Sequence, residues 1–380
     1  MKILLGTPEY QPYHVGGGGE VYKQLAENYK KLGNEVIVIY GYYPTNSWGE
    51  EIKEYTQDGI KFYQIPEIPY PKSMPFLRTV MPPNPKSWFK LKAIIKKENP
   101  DVAHLHGYGF LLVNKLAKIL KKQKVKYIFT IHGYPETQNK KNFFIRLIWK
   151  LYIRFVMNKT IKDSKRLTGI SNYITKDFRN ICKNKSITIF NGINLKDYEH
   201  TLKNVNIRKK HKINDKTLVI FSLGRLSEMK GFQEVIKLLP KFQERKIKVK
   251  YLIAGEDDGY KKDLIKLIKE LNQKDNVEFL GFLDLETKKQ YLEQCDIFAI
   301  PSLWEPFGLV TLEGIIYNKL ILTTETGGLK EVLKNYPKKV NIYKKDFINQ
   351  IKSKKLIQPA TNLNRFDWGN ITKDYLKELK

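Results

Sequence analysis

Residues 296–314 read DIFAIPSLWEPFGLVTLEG. The opening DIFAIPS (296–302) is a short, largely apolar run bounded by turn residues, as suits a strand covered on both faces. Pro306 biases Glu305 away from helical backbone and suits the first turn of a new helix. The stretch FGLVTLEGIIY (307–317) is predicted to carry that helix. Strand, loop and helix in this order form the repeating unit of an open parallel α/β sheet. Ligands bind such a sheet at the carboxyl ends of its strands. Glu305 thus falls in a ligand-binding loop, and the amides of Phe307, Gly308 and Leu309 are expected to face the same crevice. Glu313 stands eight residues beyond Glu305. At about 1.5 Å per helical residue the two carboxylates are about 9–10 Å apart, too far to share one water as an acid–base pair. They suit the two ends of one long, hydroxyl-bearing ligand. The plain alternative is a surface glutamate and a helix-face glutamate with no role.

The same alternation runs through the chain. KILLG (2–6), EVIVIY (35–40), DVAHLHG (101–107), YIFTIHG (127–133) and RLTGIS (166–171) read as strands in the first half. LVIFSLG (218–224), KYLIAG (250–255), VEFLG (277–281), DIFAIPS and LILTT (320–324) read as strands in the second. Helical stretches separate them, which predicts an α/β protein of two doubly wound, Rossmann-like parallel-sheet domains. An Asn-Gly turn in IFNGINLKDY (189–198) marks the join, so the domains are expected at 1–193 and 194–365. The proline-rich segment 66–85 reads as a long surface loop.

A length of 380 residues and 42% apolar content suit two packed cores. The net charge of +29, from 68 basic and 39 acidic residues, suits an anionic partner: nucleic acid, a lipid surface or a phosphorylated substrate. The basic residues are spread along the chain without a nucleic-acid-binding motif, so no nucleic-acid partner is expected. The two cysteines, Cys182 and Cys295, have neither metal-ligand nor disulfide spacing, which suits a reducing, cytoplasmic setting. The opening MKILLGTPEY reads as a first strand, too short for a signal peptide. No apolar run is long enough to cross a bilayer.

Three further groups could carry chemistry. In GRLSEMKG (224–231), Arg225 and Lys230 flank a turn after a strand. Two such cations can hold a diphosphate, Arg by bidentate contacts and Lys as a point charge. A solvated basic turn is the bland alternative. GGGG (16–19) follows the first strand, and its amides could approach an anion closely. Its spacing is not a dinucleotide fingerprint. His132 ends a strand-like run, with His104 and His106 on a neighbouring one. No metal-ligand spacing joins these histidines, so no metal site is expected.

The order of these segments resembles that of the retaining glycosyltransferases of the GT-B fold, glycosyltransferase family four. GGGGEVYKQLAENYKKLGNEV is similar to the family's glycine loop and first helix, with the loop's register at Gly16-Gly17 or Gly17-Gly18. TIHG (130–133), GISNYITKDF (169–178), IFNGIN (189–194), GRLSEMKG, IAGEDD (253–258), VEFLGF (277–282) and CDIFAIPS (295–302) follow in family order. EPFGLVTLE (305–313) matches E-x7-E, and TTETGGLKE (323–331) resembles the segment ending GG-x-x-E. FDWGNITKDYLKEL (366–379) looks like the last helix, which in this family crosses back to the first domain. Phe190 replaces the family's usual Pro, and Asn194 its usual Asp.

The resemblance implies transfer of a hexose-type sugar from a nucleotide diphosphate sugar (UDP- or GDP-sugar) to a glycan or lipid-linked acceptor. It implies no metal and no cofactor beyond the donor itself. Arg225 and Lys230 would neutralise the leaving diphosphate, and Glu305 with the Phe307–Leu309 amides would bind the sugar. Glu313 would bind the ribose, His132 would contact the donor sugar, and Gly16, Gly17 and Gly18 would approach the phosphates. A sugar phosphorylase of the same fold is the nearest alternative, and a basic nucleic-acid-binding protein a remote one. KKNFFIRLIWKLYIRFVMNK (140–159) carries Arg146, Lys150 and Arg154 at four-residue spacing. Such a helix can lie on an anionic membrane, placing the protein peripherally on its cytoplasmic face. The alternative is an ordinary helix with a solvated basic stripe.

Overall fold

The computed structural model describes residues 1–11, 17–42, 51–68, 84–133, 147, 150–182, 185–199, 205–354 and 362–380. The chain divides into two compact units, Met1–Gly192 with Arg365–Lys380, and Ile193–Asn364.

The first unit holds an eight-stranded sheet built from β1 (Lys2–Thr7), β2 (Glu35–Tyr42), β3 (Lys53–Gln57), β4 (Ile60–Pro66), β5 (Val102–His106), β6 (Lys126–Ile131), β7 (Arg166–Gly169) and β8 (Ser186–Thr188). Its order is β3-β4-β2-β1-β5-β6-β7-β8. Ile3, Leu4 and Leu5 of β1 and Val36 to Ile39 of β2 are buried, as strands covered on both faces require. Helices α1 (Gly17–Lys31), α2 (Pro85–Glu98), α3 (Leu111–Lys122), α4 (Asn158–Asp163) and α5 (Asn172–Cys182) cover it.

Two expectations are corrected here. The sheet is not wholly parallel: β3 runs antiparallel to β4. Asp58 and Gly59 join them with φ of 48° and 65°, the left-handed pair that a two-residue hairpin turn requires. β3 is mostly exposed and carries charge, as an edge strand does. The second correction concerns the glycine run. α1 begins at Gly17, so Gly17 and Gly18 form the helix's first turn and are not a free loop. Tyr22, one turn on, sets this local packing: its hydroxyl lies 3.3 Å from where a Cβ on Gly18 would stand. Gly16 lies outside the described residues, as does 69–83 of the proline-rich segment.

The second unit is a six-stranded, all-parallel sheet of β9 (Leu218–Leu223), β10 (Val249–Ala254), β11 (Val277–Gly281), β12 (Ile297–Ile300), β13 (Leu320–Thr323) and β14 (Lys339–Asn341). Its order is β11-β10-β9-β12-β13-β14, a doubly wound sheet whose strand order reverses between β9 and β12. The connecting helices include α6 (Ile207–Lys210), α7 (Phe232–Glu244), α8 (Lys261–Glu270), α9 (Leu285–Gln294), α10 (Leu309–Ile316), α11 (Leu329–Val332) and α12 (Phe347–Lys354). Val235, Ile236, Leu239 and Phe242 of α7 pack on Tyr251 and Ile253 of β10 in one core. The terminal α13 (Trp368–Leu379), capped by the Asp367 carboxylate, belongs to the first unit and packs on α1, β5 and β6.

Candidate active site

In sheets of this kind ligands bind outside the carboxyl ends of the strands where the order reverses, here β9 and β12. The loop after β9 supplies Lys230, and the loop after β12 supplies Glu305. They meet: Lys230 Nζ lies 2.7 Å from Glu305 Oε2. The same oxygen accepts from the Ser302 hydroxyl at 3.3 Å. Glu305 is buried and Lys230 partly exposed, so the pair reaches the surface through its cation. Gly231 allows this approach. Its φ is 70°, and a Cβ there would stand 1.9 Å from the Pro301 carbonyl oxygen. Any side chain would force the two loops apart. The Met229 carbonyl accepts from the Leu303 amide at 2.8 Å, tying the same loops together. Arg225 opens the β9 loop and is held by Asp258 of the β10 loop, with Nη1 to Oδ2 at 2.7 Å. Both cations therefore sit at strand ends with a carboxylate partner.

Beyond Glu305 the structure differs from the expected helix start. α10 begins at Leu309, with Gly308 as a left-handed cap at φ 83°. Pro306, Phe307 and Gly308 form the turn before it, so Leu309 alone of the three expected amides opens the helix. The physical reason is Gly308: a Cβ there would strike Leu329 of α11, and its positive φ ends helical propagation backward. Glu313 sits in the middle of α10 and is buried. Its Oε1 accepts from Lys288 Nζ of α9 at 2.6 Å and from the Tyr198 hydroxyl at 2.8 Å. Its Oε2 is buried and has no partner among the described residues. Burial, then the Glu313 charge, pushes the Tyr198 hydroxyl far up, so it remains a donor to this carboxylate.

In the first unit, His132 follows the last residue of β6 and His106 ends β5. His106 Nδ1 lies 2.8 Å from His132 Nε2. His104, two residues back on the same face of β5, bonds the Tyr29 hydroxyl at 2.8 Å through Nδ1 and Thr130 Oγ1 at 2.6 Å through Nε2. Burial holds the His132 imidazole down at about 4, and burial holds His104 and His106 well below the ordinary histidine value. Among the described residues, no three His, Cys, Asp or Glu side chains group in a way that could hold a metal ion.

Two family models match the chain in succession: Glycosyltransferase Family 4 over residues 15–197 and Glycosyl transferases group 1 over 204–356. The chain belongs to glycosyltransferase family four. It is 28% identical over 361 residues to an uncharacterized glycosyltransferase of Methanocaldococcus jannaschii, covering 91% of this chain and 86% of that one. It is 25% identical over 345 residues to N-acetyl-alpha-D-glucosaminyl L-malate synthase of Bacillus anthracis, covering 88% and 82%. The solved structure of Anabaena HepE with UDP and glucose is 19% identical and covers 100% of this chain and 99% of its own, with a TM-score of 0.72. Sucrose-phosphate synthase of Thermosynechococcus elongatus is 18% identical and covers 100% and 94%, also with a TM-score of 0.72. The fold is therefore GT-B, and the glycosyltransferase is a hexosyltransferase.

Of the residues picked out in its sequence, the glycosyltransferase joins Lys230 directly to Glu305, with Arg225 and Glu313 on neighbouring elements of the same unit. His132 and the glycines Gly17 and Gly18 belong to the other unit. Ser302, Asp258, Lys288 and Tyr198 were not picked out. Ser302 lies inside the DIFAIPS stretch, just past the end of β12, and Asp258 inside IAGEDD, so both had a positional signal. Tyr198 closes the IFNGINLKDY stretch that marks the join of the two domains, whereas Lys288 had no such signal; each reaches Glu313 only through the fold.

Proposed function

We propose that this glycosyltransferase moves a hexose-type sugar from a UDP- or GDP-sugar to a glycan or lipid-linked acceptor, with retention of configuration and without a metal ion. The observation that carries this reading is the Lys230–Glu305 pair at the point where the second unit's strand order reverses. A diphosphate bound there would draw the Lys230 ammonium and the Arg225 guanidinium, and the charge appearing on the leaving group would be met by both. Glu305, relieved of part of its ion pair, would accept from sugar hydroxyls. The Oε2 of Glu313, which has no partner among the described residues, offers an acceptor to a ribose hydroxyl. His132 would contact the donor sugar. In the transfer, the bond from the anomeric carbon to the phosphate oxygen breaks while the acceptor oxygen bonds to the same face. The acceptor's proton goes to the departing phosphate oxygen.

The test uses purified Lys230→Ala and Glu305→Ala with a panel of UDP-, GDP- and ADP-sugars. Each variant is expected to lose at least about a hundredfold in turnover while keeping its far-UV circular dichroism. Near-wild-type turnover in either variant overturns the assignment. A donor that raises the melting temperature of the wild type identifies the base and sugar.

A lipid-linked acceptor draws support from the helical stretch 150–163, which runs through a π-helical segment at Ile153–Met157 into α4. Leu151 and Phe155 on it are 46% and 67% exposed, and the helical Leu147 is 42% exposed. They follow one another at four-residue spacing, with Lys150 and Arg154 between them. Most of 140–149, including Arg146, lies outside the described residues. No helix among the described residues is long and apolar enough to cross a membrane. An exposed apolar stripe beside cations suits docking on an anionic bilayer surface, which would place the protein peripherally on the cytoplasmic face. Co-sedimentation with anionic liposomes is expected at low salt and should weaken for Phe155→Ser. Equal recovery with neutral liposomes, or none with either, removes the membrane from the proposal.

A further inference from the structure

The histidines of the first unit divide by how their nitrogens are used. His104 spends both: Nδ1 on Tyr29 and Nε2 on Thr130, which in turn bonds Thr168 at 2.5 Å. That ring is a strut between α1, β5, β6 and β7. His106 is different. It is fully buried, its Nδ1 meets only His132 Nε2, and its Nε2 is buried with no partner among the described residues. Tyr22 of α1 packs on both rings, with centroids at 5.1 Å from His106 and 5.4 Å from His132, and fixes their planes. The His106 and His132 rings lie near parallel, at 30°.

A contact between two neutral imidazole nitrogens contains one proton, so its direction sets both tautomers. If His132 Nε2 were the donor, His106 would accept at Nδ1 and carry its own proton on Nε2. That N–H would then be buried without an acceptor among the described residues. If His106 Nδ1 is the donor, the buried vacancy is an unfilled acceptor instead. An orphaned buried N–H is the rarer and costlier of the two.

We propose that His106 is a positioning residue: its Nδ1–H donates to His132 Nε2 and holds His132 as the neutral Nδ1–H tautomer, a one-proton donor and not a base. The burial that keeps both imidazoles neutral agrees with this. His132 is only half-buried, so its Nδ1–H is the ring atom left to offer. The consequence for sugar transfer rests on the function proposed above. There His132 would give a hydrogen bond to an oxygen of the donor and would take no proton from the acceptor.

The decisive measurement is two-bond ¹H–¹⁵N correlation on ¹⁵N-histidine-labelled full-length protein near neutral pH, with His132→Gln identifying the His132 signals. A pyridine-type Nε2 and a pyrrole-type Nδ1 on His132 are expected. A protonated His132 Nε2 overturns the proposal, and this readout needs no variant at His106 to fold. His106→Leu should leave His132 a mixture of tautomers and lower kcat by roughly five- to tenfold, the equivalent of one hydrogen bond, with KM little changed. His106→Asn, whose amide can donate from nearly the same position, should restore most of it. Unchanged tautomer and kcat in His106→Leu would also overturn it. If the wild type transfers no sugar from any nucleotide, the function fails while the tautomer result still stands.

Discussion

At the scale of single residues, the second unit pairs buried carboxylates with lysines. Glu313 shows it best. Its Oε1 is held by Lys288 and Tyr198, and the side chains of Glu313 and Lys288 are 9% and 16% exposed. A carboxylate this buried is tolerated only with its cation present. Lys288→Met should destabilise the protein by about 3 kcal/mol, the cost of leaving a buried charge unpaired. Glu313→Gln in the same chain should recover most of that, because the isosteric amide carries no charge to strand. Urea denaturation of the two single variants and the double variant measures the coupling. Additive losses would show that the pair is solvated and does not order Glu313. The Lys230–Glu305 pair follows the same rule with one difference: Lys230 is 30% exposed and so free to turn toward an anion.

At the scale of elements, adjacent strand ends bring titratable groups together and make stability depend on pH. β5 and β6 stack His104 and His106 and place His132 just beyond them, all held neutral by burial. A histidine whose folded-state value is depressed binds fewer protons folded than unfolded. Stability is then intact above the ordinary value of 6.5 and is lost as pH falls below it. For His132, with a folded value of about 4, the loss between pH 6.5 and 5 is ~2 kcal/mol. His104 and His106 add to it in the same direction. Glu98 acts in a separate, lower window. Burial alone would raise it, but hydrogen bonds from Lys61, Tyr63 and Lys2 bring it down to about 2. Its contribution is present above about 4.5 and disappears as pH approaches 2. Urea midpoints at pH 7 and pH 5 should therefore differ, with the lower midpoint at pH 5. Equal midpoints would mean that the histidines are already protonated or solvent-reached.

At the scale of the whole molecule, the chain's last sixteen residues complete the unit that its first residues begin. Trp368, Ile371, Tyr375 and Leu379 on α13 are all buried, and the Tyr375 ring lies 4.6 Å from that of His104. Four such side chains represent roughly 6–12 kcal/mol of burial, comparable with the net stability of a domain. Deleting 365–380 should unfold the first unit while the second, with its own core, keeps its protected amides. Hydrogen exchange read by mass spectrometry on the truncated chain distinguishes the two. Protection retained in β5 and β6 would show that α13 is an accessory and not a part of the first unit's core.

Much of this was legible in local sequence. Apolar runs of strand length, bounded by glycine and proline, located most of the strands. The rule that ligands gather at strand carboxyl ends placed Lys230, Glu305 and His132 in loops worth watching. Those signals are short-range: they depend on a few neighbouring side chains and on the backbone freedom of single residues. The observed helix starts at Gly17 and Leu309 differ from the expected ones, the second because Gly308 holds a left-handed cap. The β3–β4 hairpin went unread although Asp58-Gly59 announces it. What local sequence could not hold was the pairing. Lys230 and Glu305 are 75 residues apart, Tyr198 and Glu313 115, Lys288 and Glu313 25, and His106 and His132 26. Such contacts follow from strand order and register, which are properties of the packed sheet. Periodicity determined which residues would stand at the ends of strands. The folded sheet alone decided which of them would touch, because a hydrogen bond requires approach to about 3 Å and no local pattern encodes that.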